Sequence, residues 1–145
     1  MNDFFNSIFV TSIIAWAVAQ LLKVMLVLLH DKKLDFSRLV GSGGMPSSHS
    51  SFVTSLATGI GITDGFASST FAISFVLALV VMYDAAGIRR AAGQQAKLLN
   101  RIVDEWQSDD AETRNKRLKE LLGHTPAEVF AGAVLGIVIG IIRHI

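Results

Sequence analysis

Long apolar segments are the feature of this 145-residue sequence that most restricts its fold. The first runs from Ile8 to Leu29, and two others cover residues 66–86 and 126–142. A helix needs about 20 apolar residues to cross the hydrocarbon core of a bilayer, and these three segments reach or approach that length. The sequence therefore predicts an all-α fold, an integral membrane helix bundle.

A shorter and more polar segment, residues 51–62, is the expected fourth membrane segment. As a helix its twelve residues would extend only ~18 Å, so a re-entrant segment is the alternative to a full span. The first segment lacks a preceding basic region and a following small-residue cleavage site, so we expect a retained span rather than a signal peptide. About four membrane segments are predicted, in a single domain over residues 1–145.

The third apolar segment is predicted to continue beyond the membrane as an amphipathic helix. Leu99, Ile102, Val103 and Trp106 follow the i, i+3, i+4, i+7 spacing of one helical face. A charged loop follows, and a short helix is expected to end at Gly123.

The basic residues are distributed unevenly between the two sides of this topology. Eleven of the 13 Lys and Arg residues lie in residues 30–50 and 87–125, which four spans place on one side. The positive-inside rule predicts that this side is cytoplasmic, in the cell (inner) membrane. The net charge of +1 gives no indication of nucleic-acid binding, and the absence of cysteine excludes disulfides and thiolate metal sites.

The stretch GGMPSSHSS, residues 43–51, concentrates turn-forming and polar residues beside an apolar segment. Pro46 suits the first turn of a helix, and Ser47 or Ser48 could cap it. The backbone N–H groups at such a helix start, with serine hydroxyls and flexible glycines, favour an anion site near His49. A capped helix with an incidental histidine would explain the same residues.

A second polar stretch, LLGHTPAEV, precedes the last apolar segment. Thr125, Pro126 and Glu128 fit the N-cap, N1 and N3 positions, so Glu128 could serve only a capping box. Glu128 also lies four residues after His124, and a carboxylate that orients an imidazole makes it a better nucleophile or base.

Cationic residues near the membrane surface complete the pattern. Lys23 lies inside the first span, where a lysine indicates a functional site, although its side chain could also snorkel to the membrane surface. Arg89 and Arg90 could contact lipid headgroups or bind a phosphate in a bidentate manner. The predicted topology brings six residues to the same membrane face, namely Lys23, His49, Arg89, Arg90, His124 and Glu128.

Four stretches in order, AQLLK, GGMPSSHS, YDAAGIRRAAGQQA and ELLGHTPAEV, resemble the divergent branch of the type 2 phosphatidic acid phosphatase family. That family is related to acid phosphatases and vanadium haloperoxidases. Ser48 replaces the glycine of its P-S-G-H motif, Glu128 replaces an aspartate, and Leu118 stands where the parent pattern has arginine.

The resemblance implies a lipid-phosphate phosphatase that needs no metal or other cofactor. His124 would form a phosphohistidine, Glu128 would orient it, and His49 would serve as acid and then base. The substrate phosphate would be bound by Lys23, Ser47 and Ser48. We infer that Arg89 or Arg90 supplies the arginine contact, since the arginines of the parent pattern are missing here.

The expected partners are a lipid phosphate substrate and membrane lipids. A homodimer is favoured by the small size of the chain and by Gly132, Gly136 and Gly140, whose spacing indicates a helix-packing face. The alternatives are a non-catalytic lipid-binding, anion-binding or assembly protein, and a transporter of small anions.

Overall fold

The structure is a computed structural model that describes residues 7–31, 44–106 and 123–145. Helices account for nearly all of these residues, and no strand occurs among them. The all-α prediction is confirmed. In chain order the elements are α1 (Ile8–Asp31), α2 (Ser48–Asp64), α3 (Ser69–Tyr83), a π-helical segment (Asp84–Ile88), α4 (Arg89–Trp106) and α5 (Pro126–His144).

Within the described ranges, three helical stretches are long and apolar enough to cross a membrane, which confirms the integral membrane prediction. They are Ile8–Leu29, Ser69–Val103 and Pro126–His144. The second continues through the π-helical segment into α4, as the amphipathic pattern of residues 99–106 predicts. The short helix expected before Gly123 lies outside the described residues.

Helix α2 is the central helix, and it packs against α1, α3 and α5. The hydroxyl of Ser51 donates a hydrogen bond to the carbonyl oxygen of Ala15 in α1, at 3.1 Å. The hydroxyl of Thr54 donates to the carbonyl oxygen of Ala133 in α5, also at 3.1 Å. Because the neighbouring helices shield these groups from lipid, α2 tolerates a polar composition that a lipid-exposed span would not.

Helix α2 also extends from one end of the bundle to the other. Ser47, at its start, donates its backbone N–H to the carbonyl oxygen of Glu128 near the start of α5, at 3.0 Å. Near its end, a Cβ added to Gly59 would lie 2.8 Å from Ile8 Cγ2 and 3.2 Å from the His144 ring. Its 17 residues correspond to ~25 Å, so residues 51–62 belong to a helix that runs the length of the bundle, and a full membrane span by this segment stays a prediction.

The glycines of α5 form a packing face, as their spacing predicts, but their partner is α2 of the same chain. An added Cβ would overlap the carbonyl oxygen of Ser47 at Gly132 and that of Ser51 at Gly136, and would lie 2.8 Å from Thr58 Cβ at Gly140. The glycine row is therefore buried within the chain and is not available as a dimer contact. The homodimer stays a prediction that rests on small size alone.

The helix starts differ from the prediction in one respect. Ser47 is the N-cap of α2, and its hydroxyl accepts from Ser50 N. The placement of Pro46 in the first helical turn is wrong, because capping by Ser47 leaves Pro46 before the helix. The Thr125–Glu128 capping box of α5 is present as predicted, with Pro126 in the first turn.

Candidate active site

Two histidines meet at the end of the bundle where α2 and α5 begin. His124 immediately precedes the N-cap of α5 and is only 2% exposed, whereas His49 lies in the first turn of α2 and is exposed. Their ring centroids are 6.3 Å apart and the rings meet edge to face, at 64°. Both imidazoles are therefore within reach of a single group of the size of a phosphate.

Glu128 binds the buried histidine and caps the helix with the same oxygen atom. Its Oε2 lies 3.2 Å from His124 Nδ1 and accepts the backbone N–H of Thr125 at 2.9 Å. The backbone N–H of Glu128 donates to the Thr125 hydroxyl at 3.3 Å, which completes the capping box. The capping role and the imidazole-orienting role are therefore compatible. With Nδ1 directed at the carboxylate, Nε2 is the nitrogen that would attack a substrate.

The backbone of His124 is fixed by the π-helical segment. Its N–H donates to the carbonyl oxygen of Ala85 at 3.1 Å. A π-helical turn shifts the i→i−4 pairing of the helix, and such turns are frequent at functional sites. The preceding Gly123 lies against the start of α4, where an added Cβ would collide with the Arg90 backbone.

Lys23 approaches the same site from α1. It is 3% exposed, and the Glu128 carboxylate is close enough to interact electrostatically with its ammonium group. A Cβ added to Gly44 would lie 3.3 Å from Lys23 Cγ, and Gly44 has a φ of 92°, which favours glycine. Gly44 therefore makes its close backbone approach to the aliphatic part of the Lys23 side chain.

Ser47 and Ser48 are both buried at the start of α2. The Ser47 hydroxyl accepts from Ser50 N at 3.4 Å and from Ser50 Oγ at 3.0 Å. Its backbone N–H donates to the Glu128 carbonyl oxygen, so it is not one of the free N–H groups expected at the helix start. Ser47 thus joins the two polar segments of the site, and phosphate contact by Ser47 or Ser48 stays a prediction.

The two candidate phosphate-binding arginines, Arg89 and Arg90, lie at the start of α4. Arg90 reaches the site through its backbone, beneath Gly123, and its side chain is exposed. The side chain of Arg89 lies outside the described part of the structure. A phosphate contact by either guanidinium stays a prediction.

Sequence reasoning did not predict three residues that hold the site together. Ala85 accepts the His124 N–H, Gly123 packs against α4, and Gly44 packs against the Lys23 side chain. The stretch DAAGI is compatible with an ordinary α-helix, so no sequence signal indicates that Ala85 presents its carbonyl to His124. Gly123 was expected only as a helix terminator, and its contact with α4 depends on tertiary packing.

An all-α membrane protein with a paired histidine and glutamate at one end of its bundle is the class that the fold and site define. The chain belongs to the Divergent PAP2 family, whose family model matches residues 4–139. It is 41% identical over 142 residues to the uncharacterized membrane protein YuiD of Bacillus subtilis (strain 168), covering 91% of this chain and 90% of that protein. No solved structure matches.

Proposed function

We propose that the protein is a membrane phosphatase that hydrolyses lipid phosphates through a phosphohistidine at His124. The observation that carries the proposal is the buried His124–Glu128 pair, at 3.2 Å, with the second imidazole of His49 6.3 Å away between ring centroids. Family membership supports the same chemistry.

In the first step His124 Nε2 attacks phosphorus, and the bond from phosphorus to the alcohol oxygen breaks. The His49 imidazolium gives its proton to the leaving oxygen, so the alcohol departs neutral. The ring of His124 becomes positively charged, and the Glu128 carboxylate stabilises that charge. This interaction is strong because the histidine is buried and poorly screened by water.

In the second step water attacks the phosphohistidine, and the phosphorus–nitrogen bond breaks to release inorganic phosphate. The now neutral His49 takes the proton of the attacking water and returns to its charged form. The exposure of His49 suits this role, because an exposed imidazole exchanges protons with solvent between turnovers.

Positive charge at the site would stabilise the oxygens of the transferred phosphoryl group. Lys23 would supply an ammonium group that interacts electrostatically with Glu128, and the start of α2 supplies the positive end of a helix dipole. Arg89 or Arg90 would add a guanidinium from the start of α4.

The position of the site indicates an amphiphilic substrate. His49 lies in the first turn of α2, and His124 directly precedes the cap of α5, a helix that could span a membrane. Both therefore lie at one end of the bundle, where lipid headgroups would lie. The excess of Lys and Arg in residues 30–50 and 87–125 favours the cytoplasmic face of the cell membrane. Metal independence is part of the proposal.

Phosphate release by the purified protein tests the proposal. A panel of phosphatidate, phosphatidylglycerol phosphate and prenyl phosphate is assayed in EDTA, with His124→Ala beside the wild type. His144→Ala is the matched control, because His144 bonds Thr11 at the opposite end of the bundle. We expect release by the wild type and the control and none by His124→Ala. No release from any phosphate ester by the wild type would favour a non-catalytic lipid-binding or anion-binding protein.

A further inference from the structure

An apolar groove of about 500 Å³ lies between α2, α3 and α5. We propose that this groove binds a hydrocarbon chain of the lipid whose phosphate reaches His124 and His49. The link to the reacting phosphate rests on the proposed function, whereas chain binding in the groove is a separate property. The groove volume falls within the ~300–1,000 Å³ of typical ligand pockets.

The lining of the groove fits a hydrocarbon and offers little to a polar ligand. Phe71 and Phe75 of α3 form a stacked pair with centroids 5.7 Å apart, and Ile137 and Ile141 line the groove from α5. Thr54 and Thr58 bring hydroxyls from α2, but both are already bonded to protein carbonyls. The Thr54 hydroxyl is shared between Ser50 O at 2.8 Å and Ala133 O of α5 at 3.1 Å, and the Thr58 hydroxyl donates to Thr54 O at 2.8 Å.

The groove begins about one helical turn from the candidate active site. Thr54 lies one turn after Ser50, to whose carbonyl its hydroxyl is bonded, and Ser50 donates to the N-cap Ser47. On α3, Met82 lines the groove three residues before Ala85, whose carbonyl binds His124 N–H. A ligand whose polar group lies at the histidines can therefore place its apolar part in the groove.

The groove runs along the bundle, from one turn below the candidate site to the opposite end, where Phe66 and Ile145 line it. Its lining runs from Ala133 of α5 to Ile145, the C-cap of that helix, a rise of ~18 Å. This length exceeds ~15 Å, which is half of the ~30 Å hydrocarbon core, so a lipid chain that spans one leaflet fits within the groove. A lipid with its phosphate at the site end therefore lays its chain along the groove.

The groove opens toward the bilayer and not toward water. Phe75 is 49% exposed and Ile141 is 41% exposed, and both belong to helices that could span the membrane. In a bilayer these side chains contact the hydrocarbon chains of lipids, so a lipid chain can enter the groove laterally.

Narrowing the groove tests this inference through chain-length selectivity. Ala78 lines the groove on α3 and is 2% exposed, so Ala78→Phe would fill the groove. We expect the ratio of kcat/KM for long-chain phosphatidate to kcat/KM for nitrophenyl phosphate to fall about tenfold or more. Ala72→Phe, on the exposed side of the same helix, should leave the ratio unchanged. An equal ratio in both variants would overturn the chain subsite.

A binding measurement on the wild type tests the groove without turnover, so it does not depend on the proposed function. Phosphatidate with a photoactivatable diazirine in its chain is irradiated with the protein in nanodiscs, and adducts are mapped by mass spectrometry. We expect adducts on the groove residues of α2, α3 and α5, reduced several-fold in Ala78→Phe but not in Ala72→Phe. Adducts spread evenly over exposed residues such as Leu21 and Met25 of α1, or cross-linked dimers that shield the groove, would contradict the inference.

Discussion

The backbone N–H of Ser47 donates to the carbonyl oxygen of Glu128 at 3.0 Å, and this bond joins the two polar segments of the candidate site. One turn further along α5, Gly132 lies against the carbonyl oxygen of the same Ser47. Both backbone polar groups of Ser47 therefore abut α5. The spacing of His49 and His124 consequently depends on the close approach of α2 and α5 at this point.

Gly132→Ala tests that dependence. The added methyl group would overlap backbone atoms of Ser47, which cannot rotate away as a side chain could, so α2 and α5 must separate. We expect a loss of about 1–3 kcal/mol in unfolding free energy and reduced phosphate release. Thermal unfolding in detergent and the phosphate assay measure the two effects. Gly87→Ala is the control, because a Cβ there meets nothing within 4 Å. Wild-type stability in Gly132→Ala would show that the contact is not tight.

Glu128→Gln separates the capping role from the catalytic one. Glutamine also serves at N3 of a capping box, so the melting temperature should change little. The negative charge that stabilises a cationic His124 is lost, so we expect phosphate release to fall roughly 10³–10⁴-fold. Steady-state kinetics and thermal unfolding on the same preparation measure both properties.

Glu128→Ala provides the contrast for that variant. It removes the bond to Thr125 N as well as the charge, and should lower stability by roughly 0.3–1.5 kcal/mol. Equal activity in Glu128→Gln and the wild type would exclude a catalytic role for the carboxylate.

His49→Ala tests general acid catalysis through its dependence on the leaving group. With a lipid alcohol as leaving group, loss of the proton donor should slow turnover by about 10²–10⁴-fold. Nitrophenolate leaves without protonation, so the defect on nitrophenyl phosphate should be much smaller. Single-turnover kinetics with both substrates measures the difference. The same loss on both substrates would contradict the assignment of His49 as the acid.

Local sequence signals account for much of the fold and for the central residues of the site. The apolar segments predict the spans, and the Ser47 and Thr125 caps predict where α2 and α5 begin. These features depend on neighbouring residues alone, so they can be deduced without a tertiary structure. The His124–Glu128 contact follows from the same short stretch, because residues four apart at a helix start lie close together.

Features that depend on packing between distant segments could not be predicted. Gly132, Gly136 and Gly140 indicate a close helix contact, but the spacing does not reveal whether the partner is α2 or a second chain. The bond from His124 to Ala85 requires a π-helical turn that the small residues of DAAGI do not signal. The low hydropathy of α2 makes sense only after the helices that cover it are known.

Accessibility of introduced cysteines tests the predicted orientation in the membrane. The chain has no cysteine, so each probe is unique. Ser42→Cys and Ser108→Cys lie in the two basic stretches and should resist an impermeant thiol reagent in intact cells but react after lysis. Ala67→Cys, in the exposed turn between α2 and α3 at the other end of the bundle, should react in intact cells. Labelling of either basic stretch from outside would overturn the cytoplasmic assignment.

The most direct test of the central claim is to trap the phosphoryl group on His124. Wild-type protein is mixed with a lipid phosphate carrying a radiolabelled phosphoryl group and is quenched in alkali, in which phosphohistidine persists. The labelled residue is then identified by mass spectrometry. The account predicts an acid-labile adduct on His124 in the wild type and in His144→Ala, and none in His124→Ala. Phosphate release without any label on His124, or a label on a different residue, would contradict it.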